Sequence, residues 1–143
     1  MQEASDDIWN YQGRAVIAIT TSGSYARTGK AVMGRGVARQ AALRFPELPL
    51  QLGEFLQKEG NHVHRLAGDI VSFPVEESAW ACPELRLIAR SAEELRELAD
   101  REGWPLVVVP RPGCGGGGLD WREVRPLLER HFDDRFLVVS SQG

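Results

Sequence analysis

Nine of the chain's 15 glycines fall in two stretches, 23–36 and 113–118. Glycine gives backbone N–H groups close access to an anion and lets the chain take positive φ, at a cost of about 0.5–1 kcal/mol per residue relative to alanine. The second stretch, "RPGCGGGGLDW" (111–121), lies between an apolar run and an expected helix, and "TSGSYARTGKAVMGRG" (21–36) has the same setting. Amides presented at the start of a helix, together with the positive end of its dipole, take phosphate groups. Two such loops could clamp one extended ligand around a pyrophosphate; the alternative is that both are tight turns.

Neither loop fits a standard nucleotide fingerprint. "GCGGGG" matches G-x-G-x-x-G, but that motif normally opens a larger βαβ unit with an acidic ribose ligand downstream. Here the loop ends 25 residues before the C-terminus, and the next strand, "RFLVVSS", ends in serine. In the first loop, Gly29–Lys30 has Ser24 where a P-loop needs glycine, and Ala31 where it needs Ser or Thr.

Other reactive side chains are sparse. Glu76 is a general-base candidate or a solvated carboxylate beside Glu77. Cys114 has no histidine close in sequence and reads as a small buried thiol. His62 and His64 are expected on one face of a strand, too few for a metal site, so no metal and no cofactor are expected. Asp120 reads as a helix cap, Trp121 as a packing residue, and Trp80 as a packing residue or part of a cleft rim.

The elements that would position these groups follow from periodicity. "RAVIAIT" (14–20), "HVHRLA" (62–67), "DIVSFP" (69–74), "PLVVVP" (105–110) and "RFLVVSS" (135–141) read as strands. Helices are expected over 37–45, 48–60 and 82–103, the last with an apolar stripe at Leu85, Ile88, Ala92, Leu95 and Ala99. Pro83 would sit in its first turn and Gly103 at its stop. Asp120 and Glu123 would open a helix through "WREVRPLLERHF". Alternating strands and helices indicate an α/β fold with helices on both faces of a central sheet.

Composition limits the partners. The chain has 143 residues and a net charge of −3, which suits one domain without a dedicated nucleic-acid surface. A local basic rim from Arg27, Lys30, Arg35 and Arg39 would escape that net-charge argument. Two cysteines, no basic-then-apolar leader and no stretch near 20 apolar residues lead to the expectation of a cytoplasmic, monomeric chain with no membrane partner.

"GKAVMGRGVARQA" (29–41), "VSFPVEESAW" (71–80) and "PRPGCGGGGLDWREVRPLLE" (110–129) together resemble the macrodomain family. The similarity is greatest to the branch holding the terminal ADP-ribose protein glycohydrolase and the DarG-type antitoxins. It implies a single three-layer α/β/α macrodomain over 1–143 with a central mixed sheet. The ligand would be ADP-ribose or an ADP-ribosylated protein or nucleic acid. By that resemblance Asp7 and the backbone of Ile8 take the adenine, and Thr21 and Ser22 lie at the end of the first strand. Met33, Gly34, Arg35, Gly36 and Val37 form the first phosphate loop. Gly113, Cys114, Gly115, Gly116, Gly117, Gly118 and Leu119 close over the diphosphate and distal ribose. Asp69, in "AGDIVSFP", precedes a later strand and is not assigned to adenine.

Three departures qualify the activity that the resemblance implies. The branch's hydrolases use a lysine after Phe-Pro-x, where this chain has Glu76, and a carboxylate cannot form the Schiff base that a lysine can. The glycohydrolase's acidic loop residue falls on Gly117, which the DarG type shares. Ser22 stands where relatives often have asparagine. The expected activity is therefore ADP-ribosyl hydrolysis with Glu76 activating water. The alternatives are a non-catalytic reader of ADP-ribose and an ADP-ribose 1″-phosphate phosphatase.

Overall fold

The computed structural model describes residues 1–141. Six strands form one sheet in the order β1-β6-β5-β2-β4-β3. They are β1 (Gln2–Ser5), β2 (Val16–Ser22), β3 (Arg65–Leu66), β4 (Ile70–Glu76), β5 (Val107–Pro110) and β6 (Phe136–Ser140). All neighbours are parallel except β3, which runs antiparallel to β4, so the sheet is mixed. Four helices complete the fold: α1 (Gly36–Arg44), α2 (Leu48–Glu59), α3 (Leu85–Glu102) and α4 (Trp121–Glu129).

The period of two along each strand divides the core into halves. Val16 and Ala18 of β2, Val71 and Phe73 of β4 and Val107 and Val109 of β5 pack with Ile88, Leu95 and Leu128 from α3 and α4. Ile17, Ile19, Ile70 and Val108 point the other way, toward Ala41 of α1 and Leu48, Leu52 and Leu56 of α2. The result is a three-layer α/β/α arrangement. Among the described residues no helix is long and apolar enough to cross a membrane.

The 82–103 stripe forms one helix, and Gly103 ends it in the left-handed conformation at φ 69°. Ser91 caps nothing. Its buried hydroxyl donates to the Pro74 carbonyl at 2.6 Å and ties α3 to β4. Pro83 lies outside the helix, which starts at Leu85 after an extended Glu84.

The strand expected over 62–67 shrinks to Arg65–Leu66. The His64 ring is instead stacked on Phe55 at 4.6 Å and bonded to the Gly60 carbonyl, while His62 pairs with Glu94 at 2.8 Å. These contacts replace the expected alternation of the two histidines. β1 has no strand signal in its polar sequence; its parallel pairing with β6, from Gln2↔Leu137 to Ser5↔Ser140, creates it.

The first glycine-rich loop is threaded beneath α2. A Cβ on Gly53 would lie 1.7 Å from the Gly29 carbonyl oxygen, so the helix needs glycine where the loop crosses it. The Ala31 amide donates to the Pro49 carbonyl at 2.7 Å at the same crossing. Gly53→Ala should therefore lower unfolding stability by about 3 kcal/mol or more. Urea denaturation would show this, and a cost within the ordinary surface range of about 0.5 kcal/mol would contradict the crossing.

Candidate functional site

The parallel strands end along one edge of the sheet, where open α/β sheets hold their ligands. β2 and β5 pair only at Val16↔Val107 and Ile17↔Val108. Beyond these positions the strands lack mutual pairing, and a cleft of about 1920 Å³ lies over their ends. Its walls include Thr21 and Ser22 from β2, Glu76 from β4 and Pro110 from β5.

Every site residue expected from sequence except Gly118 lines this cleft: Asp7 and Ile8, Thr21 and Ser22, 33–37, Glu76, 113–117 and Leu119. Asp69 does not; it occupies the turn between β3 and β4 at φ 57°. Arg27, Lys30 and Arg39 also lie outside the lining, whereas Arg35, Arg44 and Arg111 belong to it.

The glycines separate by what surrounds them. Gly113 has φ 74°, and its added Cβ would meet Leu119 at 2.8 Å and Pro83 at 3.1 Å. Gly117 would meet Pro83 at 2.6 Å and the Gly113 carbonyl oxygen at 2.7 Å. These two glycines fold the loop upon itself and seat it on Pro83. Gly34, Gly115 and Gly116 have no atom within 4 Å of an added Cβ. Their side-chain positions face open space.

The two helix starts differ electrostatically. α1 begins after Arg35, which provides no side-chain cap, so its first-turn amides and dipole can serve an anion. α4 begins after Asp120, whose carboxylate accepts from the Arg122 amide at 2.9 Å. That cap already supplies negative charge. The second loop therefore contributes its own backbone rather than a free helix terminus.

At the N-terminal end, Asp6 and Asp7 have separate tasks. Asp6 accepts from the Asp7 amide, the Asn10 side chain and the Tyr11 hydroxyl, all at 2.8 Å. Those bonds, Tyr11 foremost, hold its carboxyl below the usual aspartate range. Asp7 accepts from the Trp9 amide at 3.0 Å through one oxygen. The Ile8 amide opens the same 3-10 turn, where helical geometry supplies no acceptor. Trp9, Gln40 and Arg44 complete this end, with Arg44 over the indole at 4.6 Å and the indole N–H donating to Gln40 at 2.8 Å. No sequence spacing announced these three residues.

Glu76 stands at the end of β4, where a bulge changes the register from Thr21↔Pro74 to Ser22↔Glu76. Its carboxylate, 14% exposed, lies 3.4 Å from the Arg35 guanidinium. Burial raises its pKa above the ordinary glutamate value, and Arg35 opposes the shift. The half-buried Cys114 thiol donates to the Pro112 carbonyl and has its pKa raised, chiefly by burial. It stays protonated near neutral pH and is a poor nucleophile. Thr21 Oγ1 is buried and has no hydrogen-bond partner among the described residues.

The chain covers 99% of its length on the macrodomain of Mycobacterium tuberculosis DarG, with a TM-score of 0.82 and 22% identity, spanning 97% of that chain. The fold is that of a macrodomain. The macrodomain of Thermus aquaticus DarG superposes with a TM-score of 0.73 over 99% of this chain and 97% of that one, at 18% identity. Thermosipho africanus DarTG in complex with ADP-ribose gives 0.75 at 20% identity, over 94% of this chain and 39% of that chain. No family model matches the sequence. A curated relative, the T. africanus DNA ADP-ribosyl transferase–DNA ADP-ribosyl glycohydrolase fusion protein, is 26% identical over 126 residues, covering 71% of this chain. The chain spans about a third (32%) of that relative's length.

The division among the glycines has a measurable consequence for the protein's stability. Gly115→Ala and Gly116→Ala should each stay within about 0.5 kcal/mol of the parent. Gly113→Ala combines positive φ with a clash and should cost about 1–3 kcal/mol. Equal losses at all three positions in urea titration would refute the distinction.

Proposed function

We propose that this chain is an ADP-ribose-binding macrodomain that hydrolyses ADP-ribose from a modified macromolecule. The observation that carries the reading is the convergence of both glycine loops on one cleft, with Gly34, Gly115 and Gly116 facing its open space. In this reading, the spare Asp7 oxygen and the Ile8 amide take the adenine. The uncapped start of α1 and the 113–117 backbone hold the diphosphate, and the Thr21 hydroxyl supplies a polar contact on the cleft wall. That hydroxyl supports a ligand role because an unpaired buried polar group costs about 1–3 kcal/mol.

Glu76 acts as general base. Its carboxylate takes a proton from water as the water oxygen bonds to the anomeric carbon. The bond from that carbon to the macromolecule breaks, and the leaving atom takes the proton back from Glu76, which returns to its carboxylate. A raised pKa strengthens the base near neutral pH. The curated relative's name makes an ADP-ribosylated nucleic acid the first substrate to assay. One observation favours a reader instead: Arg35 neutralises Glu76 at 3.4 Å.

Calorimetric titration with ADP-ribose, AMP and NAD tests binding. ADP-ribose should bind at about micromolar Kd and at least tenfold tighter than AMP, a difference of about 1.4 kcal/mol. Thr21→Val should weaken that binding while leaving unfolding stability unchanged or slightly higher, because it removes the unpaired hydroxyl without leaving an orphaned partner. Absence of ADP-ribose binding would overturn the proposal.

Turnover is read by release of ADP-ribose from a modified oligonucleotide. Because only ionised Glu76 is a base, kcat/KM should rise with pH through the raised Glu76 pKa and then level off. Glu76→Gln should lose about 10²–10⁴-fold activity together with that rising limb, but keep ADP-ribose affinity. Turnover by Glu76→Lys alone, with none in the parent, would establish the reader.

A further inference from the structure

Glu76 is fastened by a segment that has no part in the cleft lining. Residues 60–64 join the stop of α2 to β3 and adopt no regular element, yet a side chain bonds the backbone of every residue in them. The His64 ring meets the Gly60 carbonyl at 2.9 Å, and Arg90 donates to the Asn61 carbonyl. The Ser72 hydroxyl donates to the His62 carbonyl at 3.0 Å and accepts from the His64 amide at 2.8 Å. Glu94 accepts from the Val63 amide at 2.9 Å. A loop bonded this fully to α3 and β4 can hold one side chain in one place.

That side chain is Asn61. Its Nδ2 donates to the Glu76 carbonyl at 3.0 Å. It also packs against the start of the first glycine loop: a Cβ on Gly23 would lie 3.0 Å from Nδ2 and 2.5 Å from the Glu77 carbonyl oxygen. Asn61 thus sits where β2 and β4 end together, at the bulge that brings Ser22 level with Glu76. Its Oδ1, by contrast, is buried with no hydrogen-bond partner among the described residues. An unpaired buried acceptor destabilises a fold. What the carboxamide contributes is therefore its donor rather than net stability.

We propose that Asn61 is a positioning residue for hydrolysis: by fixing the backbone where β4 ends, it keeps the Glu76 carboxylate in the cleft wall beside Arg35. This rests on the reading of Glu76 as general base. Glu76 is the last residue of its strand, and a bulge weakens the ladder there. Without Asn61 the strand end can relax toward solvent. Burial is the larger of the two influences on the carboxylate, so its loss lowers the pKa toward the ordinary glutamate value and weakens the base. The other charges on these elements are paired among themselves: Glu77 with Arg86 at 3.7 Å, and Glu94 with His62 at 2.8 Å and Arg90 at 3.6 Å.

The test compares Asn61→Ala with Ser72→Ala, which loosens the same segment without touching the Glu76 carbonyl. NMR titration of isotope-labelled glutamate carboxyls, with the Glu76 signal assigned by its loss in Glu76→Gln, reads the pKa whether or not the protein turns over. In Asn61→Ala the Glu76 midpoint should move down, and in Ser72→Ala it should stay at the parent's value. On a modified oligonucleotide, kcat of Asn61→Ala should fall about tenfold to a hundredfold, the cost of slightly misplacing a reacting group. KM and ADP-ribose affinity should stay within about twofold, as for a group acting only on the chemical step, because Asn61 does not line the cleft. The rising limb of its pH profile should move to lower pH with the midpoint. Ser72→Ala should instead lower the urea midpoint and keep the parent's profile. Asn61→Ser, whose hydroxyl is too short to reach the carbonyl, should repeat the Asn61→Ala result and replaces that variant if it does not fold.

An unmoved Glu76 midpoint in the Asn61 variants would overturn the inference. So would an equal shift in Ser72→Ala, which would make the effect a general loosening. Turnover that depends on Glu76 but is the same in Asn61→Ala would overturn it and leave the general base in place. A midpoint shift with no turnover in the parent would uphold Asn61 as what holds Glu76 and overturn the hydrolase reading.

Discussion

The site depends on how briefly two neighbouring strands stay paired. β2 and β5 share ladder positions only at Val16↔Val107 and Ile17↔Val108, although β2 continues to Ser22 and β5 to Pro110. On its other edge β2 remains paired with β4 through Ser22. The sheet is therefore continuous at its base and divided at its carboxyl edge. Backbone groups and loop amides at that division are available to something other than the sheet. Both glycine loops issue from this split, one from each side, which is why they face the same space.

The cost of the glycines is distributed accordingly. Gly53, Gly113 and Gly117 permit backbone or ring approach within the protein itself. Gly34, Gly115 and Gly116 gain nothing from internal packing, since no protein atom comes near their Cβ positions. All three line the cleft with bare backbone. The contrast between the capped start of α4 and the uncapped start of α1 follows the same pattern: one helix end is completed by Asp120, and the other remains available to an anion.

Electrostatics adds a second division. The first loop and α1 are free of acids, while Glu76 meets them from β4 through Arg35. Burial and the guanidinium act on Glu76 in opposite directions, and burial prevails. A carboxylate so placed retains basicity that a solvated glutamate lacks. The bulge at Thr21/Ser22 brings Glu76 level with Ser22, so the position of the carboxylate and the end of β2 are coupled. Asn61 reinforces that coupling by donating to the Glu76 carbonyl at 3.0 Å.

Much of this was determined by the sequence itself. The apolar stripe of α3, its stop at Gly103, the cap at Asp120 and the valine runs of β5 and β6 depend on local periodicity and turn chemistry, which act over a few residues. The two glycine clusters likewise marked the cleft, and all the residues that the resemblance assigned except Gly118 line it. The tertiary structure decided what required a distant partner. β1 exists because β6 offers it a parallel edge, and the 62–67 strand is reduced because Phe55, Gly60 and Glu94 hold the two histidines elsewhere. The Trp9–Gln40–Arg44 wall and the pairing of Arg35 with Glu76 also have no local signature. Each joins residues far apart in the chain, and a contact of that kind is set by packing rather than by the spacing of neighbours.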